Sequence, residues 1–180
     1  KYKLEKKNTL ALKKKEIKKI NSIDHNLCTV SKPYKKYIMK KHFTNNIKKK
    51  INIVELGIND FTIKKKKRLK KSLIYVGALE KRKNVIFMLQ VFNKLYNYDN
   101  KYSLTIIGTG PDERKLKEIS NNFALPVKFL GNKTSKEIFN ELSKHEIYIH
   151  TSVKESFSLS LLEAKIAGLS TVAYKHLEVP

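Results

Sequence analysis

Short, mostly apolar runs alternate with longer amphipathic segments through the second part of the chain. The short runs predict buried strands, and apolar residues that recur every three or four positions predict helices. The predicted strands are residues 73–76, 104–107, 127–130, 147–149 and 171–174. The predicted helices are residues 85–98, 111–122, 135–144 and a last one from about Leu159 that ends at Gly168. Because strands alternate with helices, we expect an α/β fold, a parallel sheet with helices on both faces.

The first part of the chain carries a second and shorter pattern. Residues 27–30 and 51–54 are predicted strands, and Pro33 between them suits the first position of a helix. The predicted division is a truncated α/β domain over residues 1–63, a charged linker over 64–71 and the main α/β domain over 72–180. The first residue is not Met and the chain stops straight after a predicted strand, so we expect a fragment.

The stretch from His150 to Gly168 combines polar side chains with the start of a helix. Glu155 falls in the loop after a predicted strand, and Glu163 lies on the first turns of the helix that follows. In open α/β sheets, ligands bind in the crevice at the carboxyl ends of the strands, where this loop is expected. Free backbone N–H groups at the start of the helix suit a phosphate group. An ordinary amphipathic helix with two exposed glutamates is the competing interpretation.

Three further loops, each following a predicted strand, carry recognisable patterns. They read Gly77-Ala78-Leu79-Glu80-Lys81-Arg82-Lys83-Asn84, Gly108-Thr109-Gly110-Pro111 and Phe129-Leu130-Gly131-Asn132. In this order, and with the two glutamates behind them, they resemble the signatures of the family 4 (group 1) retaining glycosyltransferases. That family has the GT-B fold, which consists of two Rossmann-like domains. The resemblance implies that residues 72–180 are the Rossmann-like, donor-binding domain and that the acceptor-binding domain precedes it.

The resemblance also implies roles for individual residues. Lys83 would clamp the diphosphate of a nucleotide-diphosphate sugar, Glu155 would steady the oxocarbenium-like donor sugar, and Glu163 would bond the ribose hydroxyls. Lys83 and Glu155 are the catalytic residues of this assignment. The other donor-binding residues lie in the loops and at the helix start, and are Gly77, Gly131, Phe157, Ser158, Leu159 and Ser160. Gly131 would lie against the base. The glycines of the Gly108–Gly110 turn are expected to permit close packing.

Within residues 72–180, the chain departs from the family's pattern at four positions. Ala78 stands where the family has an arginine, and Asn84, Ser156 and Ser158 stand where it has glycines. If a serine position requires a positive φ, the backbone conformation costs of order 1 kcal/mol. These departures favour, as an alternative, a non-catalytic relative with the same fold.

Positive charge is abundant but uneven. Lys and Arg number 39 against 16 Asp and Glu, and residues 1–71 alone carry a net charge of +19. Only 3 of the 39 are Arg, and Asn and Ile are also frequent, so a lysine-biased composition explains most of the excess. Attraction to an anionic membrane surface is a secondary effect, and a nucleic-acid-binding protein is the less favoured alternative.

The remaining features narrow the class of protein. Cys28 is the single cysteine, which excludes a disulfide framework and a cysteine-based zinc site. Four histidines, His25, His42, His145 and His150, have no spacing typical of a catalytic or metal site. No signal peptide and no membrane-spanning run is recognisable, so we expect a cytoplasmic protein, with attachment to the inner face of a membrane as an option.

The resemblance implies an enzyme of the hexosyltransferase type. It would transfer a sugar, with retention, from a nucleotide-diphosphate sugar to a glycan, a lipid-linked acceptor or a polysaccharide precursor. The chain has no Asp-x-Asp pair to hold a divalent metal, so Lys83 and the helix N-terminus would meet the diphosphate charge. We expect no metal, no cofactor and no nucleic-acid partner. The sugar, the base and the acceptor are left open.

Overall fold

A computed structural model describes two parts of the chain. The described residues are 27–32, 34–36, 39, 51–54, 56–58, 67–153, 155 and 157–174. Several predicted features lie outside them: the segment 1–26, Pro33, Ser156 and residues 64–66 of the charged linker. The described residues belong to two compact units, divided between Leu56 and Gly57. The domain boundaries that the sequence indicates stay a prediction.

The smaller unit contains two parallel strands, β1 (Leu27–Thr29) and β2 (Ile51–Ile53). Both are predicted strands, and each ends one residue earlier than expected. Beyond the paired residues, the Val54 N–H donates to the Thr29 carbonyl at 2.8 Å. The Lys35 ammonium donates to the Ile51 carbonyl at 2.6 Å, so a lysine side chain caps the start of β2.

The larger unit is built on a five-stranded sheet in which every pairing is parallel. Its strands are β3 (Ser72–Val76), β4 (Ser103–Ile107), β5 (Val127–Phe129), β6 (Ile147–His150) and β7 (Ser170–Ala173). Their spatial order is β5-β4-β3-β6-β7. The chain therefore starts in the middle, runs to one edge and then crosses back to the other side of β3. Strand order reverses between β3 and β6, which makes their carboxyl ends the switch point of the sheet.

Four α-helices and one short 3₁₀ turn connect these strands. The helices are α1 (Val85–Tyr98), α2 (Glu113–Asn122), α3 (Ser135–Leu142) and α4 (Leu159–Ile166), and the 3₁₀ turn is Lys81–Lys83. The bounds of α1 are as predicted. Helix α3 begins as predicted because Thr134 and Glu137 form a capping box, and it ends two residues early. Among the described residues, no helix combines the length and the apolar character needed to cross a bilayer.

The sheet separates two apolar cores, because successive side chains of a strand point to opposite faces. Leu73 and Tyr75 face one core and Ile74 and Val76 face the other. On the first side, α1 and α2 contribute buried residues: Val85, Met88, Leu89, Phe92 and Leu116. On the second side, α3 and α4 contribute theirs: Phe139, Leu142, Leu161 and Ala164. The predicted fold class, a Rossmann-like parallel sheet with helices on both faces, is confirmed.

Candidate functional site

The loops that follow β3 and β6 meet because the two strands are neighbours in the sheet. The Thr151 hydroxyl donates to the Lys83 carbonyl at 3.0 Å. The Val153 N–H donates to the Arg82 carbonyl at 2.9 Å. The 3₁₀ turn is thus tied to the loop that carries Glu155, at the switch point where ligands bind in sheets of this kind.

Lys83 and Glu155, which are 72 positions apart, form an ion pair in this crevice. The Lys83 ammonium donates to Glu155 Oε1 at 2.5 Å, and the Glu155 side chain is only 8% exposed. Burial alone would raise the pKa of Glu155, but the hydrogen bond from Lys83 and the charge of Lys83 outweigh burial and hold that pKa below its ordinary value. Glu155 is therefore ionised at neutral pH, and the structure brings the two predicted catalytic residues together.

His150 is a residue of the site that the sequence patterns do not single out. It ends β6, is 2% exposed, and places Nε2 3.8 Å from Glu155 Oε1 and 3.4 Å from the Ser158 hydroxyl. Burial lowers the pKa of His150, against the opposing effect of Glu155, so the ring is neutral. Its Nδ1 is buried and has no partner among the described residues. The sequence could have indicated His150 only through its position, directly after a predicted strand whose carboxyl end lies at the switch point.

The start of α4 provides backbone donors next to this ion pair. Ser158 precedes the helix in a left-handed conformation, with φ 64° and ψ 73°. The N–H groups of Leu159 and Ser160 have no acceptor within the part of the chain that the structure describes. The Ser160 hydroxyl bonds the hydroxyl of buried Tyr148 at 2.8 Å, and Phe157 is buried, so the helix start is fixed in place. Such a helix start suits an anion.

Glu163 lies on α4, apart from the ion pair. Its carboxylate is half-buried and has no hydrogen-bond partner among the described residues. Burial raises the pKa of Glu163 above its ordinary value, and no cation of the described residues offsets this loss of solvation. The two glutamates of the predicted motif therefore have opposite electrostatic surroundings.

The glycine turns pack against the same loops. Gly108 has a φ of 131°, and a Cβ built there would lie 2.0 Å from the Gly77 carbonyl oxygen. A Cβ on Gly110 would lie 2.4 Å from the Leu79 carbonyl oxygen. Only glycine fits these contacts, which confirms a close-packed structural turn. Gly131, with φ 64°, has open space beside it and accepts a bond from the Gly108 N–H.

Among the described residues, four that are not glycine have a positive φ, and two of these, Asn84 and Ser158, belong to the loops of the site. Asn84 links the 3₁₀ turn to α1 with φ 53°, and Ser158 has φ 64°. Both stand where the resemblance expects glycine. Asparagine tolerates this region better than other residues, whereas serine does so at a cost. Ser156, the third such position, lies outside the described residues.

Comparison with known proteins decides the family. The model of the family "Glycosyl transferases group 1" matches residues 58–180. The chain belongs to this family. Its likeness to solved glycosyltransferases identifies the fold of this group 1 chain as GT-B, as the sequence signatures predict.

Two curated relatives illustrate the group 1 relationship. The UDP-N-acetylglucosamine–peptide N-acetylglucosaminyltransferase GtfA subunit of Limosilactobacillus reuteri is 30% identical over 138 residues, which are 75% of this chain and 26% of the relative. The phosphatidylinositol N-acetylglucosaminyltransferase gpi3 subunit of Schizosaccharomyces pombe is 24% identical over 111 residues, 61% of this chain and 24% of the relative. The chain thus spans about a quarter of the length of the curated relatives it matches.

A solved structure shows the same fold at lower identity. The pneumococcal O-GlcNAc transferase GtfA, solved in complex with UDP and GlcNAc, has a TM-score of 0.73 and 22% identity. The likeness covers 85% of this chain and 30% of that protein. The roles of individual site residues stay a prediction.

Proposed function

We propose that the protein to which this chain belongs is a retaining glycosyltransferase whose nucleotide sugar binds at the carboxyl ends of β3 and β6. The observation that carries this proposal is the buried Lys83–Glu155 pair, which lies at the switch point of the sheet close to the start of α4. A cation, a carboxylate and free backbone donors in one crevice match the parts of a nucleotide-diphosphate sugar. Membership of the glycosyltransferase family supports the same conclusion.

Each group of the site has a task in this reaction. The Lys83 ammonium and the N–H groups of Leu159 and Ser160 stabilise the diphosphate, which gains charge as the glycosidic bond to the donor breaks. The Glu155 carboxylate faces the donor sugar and stabilises its positive charge in the transition state. Glu163 binds the ribose. The acceptor hydroxyl attacks from the face that the leaving group vacates, and its proton passes to the departing phosphate, so no covalent enzyme nucleophile is needed.

UDP-N-acetylglucosamine is the donor that we propose to test first. Two relatives, from Limosilactobacillus reuteri and Streptococcus pneumoniae, carry this donor in their names. The open space beside Gly131 is the expected position of the base. Calorimetric titration of the full-length protein with UDP-N-acetylglucosamine, and with guanosine and adenosine diphosphate sugars, would rank the donors. Absence of binding by all of them would contradict the proposed function.

We propose that the reaction needs no divalent metal. The support is the positive charge already present at the site and the lack of an Asp-x-Asp pair in the sequence. Donor binding and transfer are therefore expected to be equal in EDTA and in excess Mg²⁺. Activity that disappears on chelation and returns with Mg²⁺ would contradict metal independence while leaving the transferase function intact.

The second candidate function is a non-catalytic relative that binds a nucleotide without turning it over. Ala78, at a position where the family has a cation, and the strained Ser158 favour it. The two candidates differ in one measurement. Full-length protein that binds the donor but releases no nucleoside diphosphate, with or without glycan and lipid-linked acceptors, would favour the non-catalytic relative.

We also propose that the basic first part of the chain draws the protein to an anionic membrane, where a lipid-linked acceptor would be found. Residues 1–71 carry a net charge of +19. Attachment to anionic vesicles should weaken sharply between low salt and physiological salt, where the screening length is about 8 Å. Sedimentation with neutral and anionic liposomes is the measurement. Equal binding to both, or tighter binding to duplex DNA, would contradict membrane attraction.

A further inference from the structure

Arg82 is a second cation of the crevice, one that no sequence pattern indicates. It precedes Lys83 on the 3₁₀ turn Lys81–Lys83. Its Nη1 lies 3.6 Å from Glu155 Oε2, while the Lys83 ammonium bonds the other oxygen, Oε1. Its Nη2 bonds Glu80 Oε1 at 2.7 Å, and its side chain is 49% exposed. One buried carboxylate is therefore held by two cations, one on each oxygen.

This arrangement raises a conflict for the proposed function, on which the inference rests. Lys83 is required to face the donor diphosphate, yet its ammonium is engaged by Glu155. A diphosphate takes over Lys83 only in competition with Glu155. The carboxylate, 8% exposed, would then lose its nearest counterion, and a buried charge without a partner is strongly destabilising. The exchange needs another cation that stays with Glu155.

We propose that Arg82 is a positioning residue that keeps hold of Glu155 Oε2 when the Lys83 ammonium turns from Glu155 to the donor diphosphate. The step is an exchange of ion-pair partners, without transfer of a proton. Arginine suits the task because its guanidinium is always charged and presents several N–H donors in a fixed plane. The Val153 N–H holds the backbone of Arg82 in place at its carbonyl, so the turn does not have to move during the exchange.

The exchange predicts a definite coupling between Arg82 and Glu155 in nucleotide binding. Arg82→Gln should weaken UDP binding by roughly fivefold, because Lys83 is then the only lysine or arginine of the described residues left beside Glu155. Glu155→Gln should tighten UDP binding by about threefold or more, because the competitor for Lys83 is removed. In the Glu155→Gln background, Arg82→Gln should have no further effect. The wild type, the two single variants and the double variant form a double-mutant cycle. It measures the interaction between Arg82 and Glu155.

Calorimetry with UDP on the full-length protein, with GDP and ADP in parallel, provides this cycle. Lys81→Gln is the matched control, because Lys81 lies on the same turn, is exposed, and loses the same charge without a contact to Glu155. Its UDP affinity should equal that of the wild type. In steady-state assays, Arg82→Gln should lower kcat by more than it raises the donor KM, and Arg82→Lys should restore part of kcat.

Three results would overturn the inference in different ways. An Arg82→Gln variant that binds UDP as the Lys81→Gln control does would show that Arg82 plays no part. An equal loss of affinity in the Glu155→Gln background would show that Arg82 contacts the phosphate directly. A wild-type protein that binds none of the three nucleoside diphosphates would remove the proposed function, and the inference with it.

Discussion

The two glutamates of the site have opposite surroundings. Glu155 is paired with Lys83, and the pKa of its carboxyl is held down. Glu163 has no such partner among the described residues, and burial raises its pKa. An ionised, positioned Glu155 suits a role at the reacting sugar. A half-buried Glu163 on a helix suits a neutral ligand such as a pair of ribose hydroxyls.

Replacement of each glutamate by glutamine in the full-length enzyme should separate these roles. Glu155→Gln should lower kcat by about 100-fold, because contacts to charge that develops in the transition state appear in kcat. Glu163→Gln should mainly raise the donor KM, roughly tenfold if about 1.4 kcal/mol of hydrogen bonding is lost. Steady-state kinetics with varied donor is the measurement.

Binding of the free nucleoside diphosphate is the control for this pair of variants. Glu163→Gln should weaken it, because the ribose contact is present without the sugar, whereas Glu155→Gln should not weaken it and, if Glu155 competes for Lys83, should tighten it. Glu163→Gln should also raise the melting temperature at neutral pH. A folded-state pKa above the ordinary value means that ionisation of Glu163 destabilises the folded protein. The reverse kinetic assignment, or full activity in both variants, would refute these two roles.

Backbone strain at Ser158 leads to a second prediction at the scale of one residue. A non-glycine residue with φ 64° is destabilising by about 1 kcal/mol relative to glycine. Ser158→Gly relieves that strain, and Ser158→Ala retains it, although both lose the same hydroxyl. Urea unfolding should therefore show Ser158→Gly more stable than Ser158→Ala by about 1 kcal/mol. Equal stabilities would show that the left-handed conformation carries no cost.

Helix α4 has the proposed donor-binding groups at its start and an arginine bound to its last carbonyls at its end. The Arg68 guanidinium donates to the carbonyls of Gly168 and Ala167, at 2.6 and 2.8 Å. Gly168 lies two residues beyond the last residue of α4 and has a φ of 76°, and a glycine at the end of this helix is what the sequence predicts. Carbonyls at the end of a helix have no helical N–H group to accept from, so the arginine supplies the missing hydrogen bonds. Its positive charge also interacts favourably with the negative end of the helix dipole. Arg68 belongs to the predicted linker and nevertheless stabilises the helix that carries Glu163.

Loss of the Arg68 hydrogen bonds to the end of α4 should lower the free energy of unfolding. Arg68→Met keeps the length of the side chain and removes its charge and donors, and it should lower the free energy of unfolding by about 1–2 kcal/mol. The matched control is Lys67→Met, because Lys67 is exposed and adjacent. Chemical denaturation of both variants is the measurement. Similar unfolding midpoints for the two would mean that these hydrogen bonds contribute nothing to stability.

In the molecule as a whole, the stability of the folded protein depends on pH because ionisable groups are buried between the helices and the sheet. His145 is buried between α3 and β4, where Nδ1 bonds the Glu141 carbonyl at 2.8 Å and Nε2 bonds the Thr105 hydroxyl at 2.9 Å. One neutral tautomer satisfies both contacts, with Nδ1–H as donor and Nε2 as acceptor. Burial lowers the pKa of His145, and it lowers the pKa of His150 as well.

Stability should fall on acidification in two stages. A histidine whose pKa is lowered on folding binds protons more readily when unfolded, so stability is full above the unfolded pKa of about 6.5 and is lost as pH falls below it. Glu155, whose folded pKa is also lowered, adds a further loss below about pH 4.5. Glu163 acts in the opposite sense because its pKa is raised.

Thermal unfolding between pH 8 and pH 5 tests the histidine stage. The melting temperature of the wild type should decrease over this range, and His145→Gln should reduce the decrease while lowering stability at pH 8. Stability at pH 8 should be lower because glutamine fills less of the space of the packed ring. Its single amide group also has to replace both hydrogen bonds of the imidazole. An identical pH slope in the wild type and in His145→Gln would show that His145 does not contribute.

The sequence alone determined the strand and helix order, the glycine turns and the family signatures, because each depends on a short stretch of chain. Apolar residues that recur every three or four positions over Val85–Tyr98 indicate α1, and Thr134 with Glu137 indicates a capping box. Both patterns involve only residues that are near each other in the sequence. Only the tertiary structure decided which side chains meet. Lys81 and Arg82 are adjacent on one turn, yet only Arg82 reaches Glu155, because the pairing of β3 with β6 brings a distant loop to that side of the turn.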